Sequence, residues 1–190
     1  MNAAATSDNL HRLATLCEEN LERLDQLATL PVSKMQRRPA PRAWTALEAL
    51  QHLNRFNLDY LQLVEAAVEH PRAQPPFFSF VAPGMARWVA DWALPGAATI
   101  KLPTLPSMNP RREALDLSVV TAARQNLHRL GRAITASKSL DTDRVTIPTA
   151  ELKIVRFPLG EALRMLVNHD RRHIGQAERA TRGLAGIRTD

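Results

Sequence analysis

The residues of this chain best placed to do chemistry are two histidines separated by three residues, in His169-Asp-Arg-Arg-His173. On an α-helix, positions four apart lie one turn apart on the same face, so both imidazoles can reach one metal ion. No other stretch has so specific a chemical reading. A P-loop, a Gly-x-Gly-x-x-Gly turn, a Gly-x-Ser-x-Gly elbow and paired cysteines are all missing. Two ligands seldom suffice, because zinc and nickel sites take three or more, with an open position where catalysis occurs.

Four other histidines are available as a third ligand: His11, His52, His70 and His128. His52 suits best. It borders the apolar stripe of a predicted helix, on the side of Phe56 and Leu63, and bundle proteins project their ligands inward from facing helices. His11 lies near a helix start, His70 at a helix end beside Pro71, and His128 on the flank of a stripe. Spacing alone supplies no rule for the triple. A zinc protease shares the His-x3-His spacing, but Asp170 stands where a glutamate base is needed, and only Glu178 follows as a downstream ligand.

Four amphipathic patterns must position these residues. Leu10, Leu13, Cys17, Leu21, Leu24 and Leu27 recur at threes and fours, which predicts a helix from about Ser7 to Leu30, ended by Pro31. Thr45-x-x-Glu48 reads as a capping box that starts a second helix, running through Leu50, Leu53, Phe56, Tyr60, Val64 and Val68 to Pro71. Asn109-Pro110 predicts the start of a third, with Leu117, Val120, Leu127, Leu130 and Ile134 on its stripe. The fourth runs from about Gly160 to Arg182, with Gly183 as its stop and both histidines on its apolar line.

Between the second and third helices lies a proline-bearing crossover, Pro71 to Asn109, which no continuous helix can span. A short helix at about Gly84 to Ala93, with Trp88 and Trp92 one turn apart, is expected inside an ordered cover. Val145, Ile147, Ile154 and Val155 suggest short extended pieces between Ser139 and Pro158. The predicted fold is all-α: one four-helix-bundle domain over residues 1–190, with a long crossover between helices two and three.

Composition narrows the function classes. With 45% hydrophobic and 23% charged residues, the chain can bury a core and is not a disordered tract. One cysteine, Cys17, excludes an internal disulfide framework and fits a reducing compartment. No apolar stretch reaches the ~20 residues of a membrane span. The opening residues lack a basic stretch followed by an apolar run, so no secretory signal is expected and the cytoplasm is the default. The net charge of +6 comes from dispersed pairs such as Arg37-Arg38 and Arg111-Arg112. Without a basic run or an aromatic RNA-binding motif, a solvated basic surface accounts for it better than a nucleic-acid footprint.

Three stretches resemble the DinB-like (DinB/YfiT) metal-binding bundles. Trp44-Thr-Ala-Leu-Glu-Ala-Leu-Gln-His52-Leu53 is similar to the opening of that family's second helix. Lys101-Leu-Pro-Thr-Leu-Pro106 resembles the approach to helix three in one branch. Phe157-Pro-Leu-Gly160, leading into Asn168-His-Asp-Arg-Arg-His-Ile-Gly-Gln176, resembles the helix-four signature His-x-x-x-His-hydrophobic-x-Gln. The resemblance implies a divalent ion, Zn²⁺ or Ni²⁺, on His52, His169 and His173. It further implies a metal-dependent transferase or hydrolase that activates a thiol or water for a small-molecule substrate, the thiol being of low molecular weight. A non-catalytic stress-response or binding bundle with a structural metal is the alternative, and a homodimer is left open. Asn168 or Gln176 is a candidate to orient an imidazole, whereas Asp170 is expected in a surface pair with Arg171 or Arg172. Tyr60 is expected as a packed core residue.

Overall fold

The computed structural model describes residues 3–71, 106–111, 113–150 and 156–182. Five α-helices are present among them: α1 (Ala3–Ala28), a short α2 (Val32–Gln36), α3 (Ala46–Glu69), α4 (Ser118–Ala136) and α5 (Leu159–Arg182). The four long ones form the predicted bundle. Both α1 and α3 pack along α4 and α5, so α1 and α3 occupy one diagonal. The leucines at threes and fours turn inward as the periodicity requires, and Leu24, Leu50, Leu53, Leu130 and Leu163 are fully buried. Each such side chain contributes roughly 1.5–3 kcal/mol by leaving water.

Local chemistry sets where the site-bearing helices begin. The capping box forms as expected: Thr45 Oγ1 accepts from Glu48 N at 3.1 Å, and a Glu48 carboxylate oxygen accepts from Thr45 N at 2.8 Å. Arg38 then holds Glu48 with two hydrogen bonds of 2.8 and 2.6 Å and also reaches Ala43 O. This start places His52 about two turns into α3. Before α5, strands β1 (Thr146–Pro148) and β2 (Arg156–Pro158) pair antiparallel, with Ile147 opposite Phe157. Leu159 N donates to Val145 O at 2.8 Å and Gly160 N to Thr142 O at 3.0 Å. The hairpin and the turn before it thereby satisfy N–H groups that the first turn of α5 leaves without intrahelical partners.

The third bundle helix begins later than Asn109-Pro110 predicts. Asn109 Oδ1 does accept from Arg111 N at 3.2 Å, but only a single turn follows, closed by Glu113 N on Pro110 O. The chain then runs without regular structure to Asp116, with the Leu115 carbonyl accepting from Gln36 Nε2 at 2.9 Å. Helix α4 starts where Asp116 Oδ1 accepts from Ser118 N at 2.8 Å. A tertiary hydrogen bond and the packing of Leu115 on the core override the local helix signal. Extended residues occur at Val145 and Ile147 as expected. The expected helix at 84–93 with its tryptophans, and Ile154 and Val155, lie outside the described residues.

Candidate metal centre

Three histidines converge between α3 and α5. One ring nitrogen from each of His52, His169 and His173 lies within 4.8 Å of the other two. The ring centroids are 4.4 Å apart for His169–His173, 4.6 Å for His52–His173 and 5.4 Å for His52–His169. The cause is the pattern read from sequence. One helical turn brings His169 under His173, and the face of α3 that carries His52 packs on α5. His11, His70 and His128 are exposed and take no part in this cluster.

Neighbouring groups set the orientation of two rings. His52 Nδ1 donates to Met108 O at 2.8 Å, and His173 Nδ1 donates to Gln176 Oε1 at 2.9 Å. Each acceptor oxygen requires the hydrogen on Nδ1, which leaves the lone pair on Nε2. Such a second hydrogen bond is the usual support of a metal-ligating imidazole. His169 Nδ1 is buried and has no hydrogen-bond partner among the described residues. A polar atom left this way costs free energy, and a metal ion among the rings is one way to remove that cost.

The rings are held neutral. Burial lowers the pKa of all three: that of His173 is pushed down to about 3, and that of His169 lies well below the ordinary imidazole value. The same direction comes from neighbouring arginines, Arg55 on His52, Arg172 on His169 and His173, and Arg179 on His173. Neutral imidazole is the form that ligates a metal. The donor set therefore fits a divalent ion in nitrogen type, protonation and convergence.

Aromatic rings enclose the cluster. Phe56 stacks on His169 with centroids 3.9 Å apart, and Trp44 lies 4.9 Å from His52 and 6.2 Å from His173. Trp44 is positioned by the capping box that follows it, and Phe56 lies one turn beyond His52. Their roles as site walls were not evident from sequence, although each stands at helical spacing from a ligand candidate. Tyr60 is buried and stacks on Phe56 at 4.8 Å, as expected of a core residue.

This is a bundle with paired histidines on α5 and a third on α3, and the profile of the DinB superfamily matches residues 15–177. The chain belongs to the DinB superfamily. No curated protein and no solved structure matches it. Within this DinB-like bundle, no helix of the described residues is long and apolar enough to cross a membrane.

Asp170 corrects the sequence expectation. It is fully buried, not on the surface, and its Oδ1 accepts from Asn57 Nδ2 at 2.9 Å. Burial pushes its pKa up to about 8, partly offset by that hydrogen bond. Asp170 does lie about 100° around the helix from His169, but on α5 that direction is covered by the other bundle helices. Arg171 faces outward instead, 3.9 Å from Glu19. Gln176, a candidate to orient an imidazole, does so for His173. The supporting carbonyl of Met108 carries no sequence signal, because any residue presents the same group.

Proposed function

We propose that His52, His169 and His173 bind one divalent ion, zinc or nickel, in a metal-dependent enzyme that acts on a small molecule in the cytoplasm. The observation that carries this reading is the convergence of three neutral imidazoles from two facing helices, two of them oriented through Nδ1. When bound, such an ion supplies Lewis acidity that brings the pKa of a thiol or water toward neutrality. The reaction classes that fit are thiol-dependent transfer and hydrolysis.

The chain's own residues supply orientation and shelter. Met108 O and Gln176 hold their rings so that the Nε2 lone pairs are available, while Trp44 and Phe56 exclude water from their side of the cluster. Any thiol must be a cosubstrate. Cys17 is buried, donates to Leu127 O at 3.5 Å, and has its pKa pushed up to about 12 by burial, so it is no nucleophile.

Elemental analysis of untagged protein tests the reading. The expected result is about one zinc or nickel ion per chain, and none in His169→Ala. Protein that stays metal-free after incubation with Zn²⁺ and with Ni²⁺ overturns it. Chelation of the loaded protein separates an enzyme from a binding bundle with a structural metal. A catalytic site loses its ion with the fold intact, whereas a structural one unfolds, as read by circular dichroism.

A further inference from the structure

His52 takes its orientation from outside the helix that carries it. The acceptor is the carbonyl of Met108, the last residue of a 3₁₀ turn, Pro106–Met108, none of whose residues is buried. Apolar packing therefore does little to fix this carbonyl, and polar contacts must hold the turn against α3.

Arg55 makes those contacts. It stands three residues after His52, so both side chains leave the same flank of α3. Its Nη1 donates to Ser107 O at 3.1 Å, the carbonyl immediately before the one that His52 uses. Its Nη2 donates to Glu113 Oε1 at 2.6 Å, farther along the chain. One guanidinium thus ties down the chain on both sides of Met108. Its planar fork bonds two acceptors in fixed directions, which a lysine ammonium cannot do. The side chains of Arg55 and Glu113 are 29% and 35% exposed, so the pair adds little stability of its own. Its consequence is positional.

We propose that Arg55 is a positioning residue of the three-histidine centre: with Glu113 it latches the turn onto α3, so that Met108 O faces His52 Nδ1 and the Nε2 lone pair stays free for the ion. The latch rests on the reading of that centre as a metal site, although its effect on the imidazole needs no ion. A fixed carbonyl selects one tautomer, whereas an imidazole without it carries its hydrogen on either nitrogen. The charge of Arg55 acts in the opposite sense. It lies close enough to His52 to disfavour positive charge on that ring, and so opposes a cation there. If charge were its only effect, Arg55→Gln would tighten metal binding; loss of the latch loosens it.

Nitrogen NMR spectra of metal-free protein with isotope-labelled histidine test the latch, the His52 signals being assigned by their loss in His52→Gln. Wild type is expected to show His52 with its hydrogen on Nδ1. In Arg55→Gln those signals should move toward the average of both tautomers. His173, held by Gln176, should keep its pattern and so report an intact bundle. Glu113→Ala, which alters no bundle helix, should move the His52 signals the same way by less, and it decides alone if Arg55→Gln unfolds. Arg129→Gln, which breaks an ion pair with Glu65 on the same α3, should leave them in place. Zinc affinity, in competition with a chromophoric chelator, should fall roughly three- to tenfold in Arg55→Gln. His52 signals unmoved in both latch variants, or zinc bound by Arg55→Gln as tightly as by wild type or more tightly, overturn the proposal. Signals that move as expected in protein that takes up no zinc overturn the metal reading and leave the latch standing.

Discussion

The bundle contains two buried seams with reactive side chains, and they come to opposite ends. Between α1 and α4, Cys17 sits among Leu127, Leu21 and Ala14 at the floor of a groove of about 460 Å³. Between α3 and α5, His52, His169 and His173 sit among Phe56 and Trp44. Burial holds both sets in their neutral form, through a raised thiol pKa in one seam and lowered imidazole pKa values in the other. A neutral thiol is inert, while a neutral imidazole is a ligand with a lone pair to give. The same desolvation silences one seam and prepares the other.

The polar seam can be broken most severely at Asn57. Leucine there leaves the buried Asp170 carboxyl without its donor and should destabilise the fold by about 2–3 kcal/mol in chemical denaturation. Adding Asp170→Leu makes this part of the core resemble the apolar seam and should recover most of the loss. If the double variant is no more stable than the single, Asp170 has a support other than Asn57.

Gln176→Ala removes the group that orients His173 while sparing the ligand itself. Metal affinity in competition with a chromophoric chelator should drop about tenfold or more, with the metal-free melting temperature nearly unchanged. Unaltered affinity would mean that packing against Trp44 suffices to aim the ring.

On the apolar seam, Cys17 should not react with a thiol reagent at pH 8 in native protein and should react fully once unfolded. Native-state labelling at the unfolded rate would show that this seam is open.

The smallest effect belongs to Glu178, whose pKa is held down chiefly by its hydrogen bonds from Arg23. A carboxyl with a lower pKa when folded contributes stability above its unfolded value, and that contribution disappears as pH falls through the folded value. Arg23→Gln should therefore reduce stability at pH 7 by less than about 1 kcal/mol, because the pair is partly solvated. The difference from wild type should vanish in acid below the folded pKa, as thermal melts at both pH values will show.

Much of the fold and part of the site were legible in the sequence because local rules act there. The capping box at Thr45 and Glu48, the leucine periods and the His-x3-His spacing each rest on contacts within one helix. Asp170 was misjudged because its environment depends on how many neighbours α5 has, which one helix cannot reveal. The start of α4 was misjudged for a related reason: the helix begins at Ser118, whose N–H donates to Asp116, once Leu115 and Gln36 have tied the preceding segment to the rest of the molecule.

By itself the sequence determined which faces of the long helices are apolar and that His169 and His173 share one of them, since both follow from 3.6 residues per turn. Only the tertiary structure decided that His52 meets them, that the Met108 carbonyl orients its ring, and that Asp170 is sealed from water. Those outcomes depend on which helices lie side by side and how deep each position sinks, distances that separations in sequence do not encode.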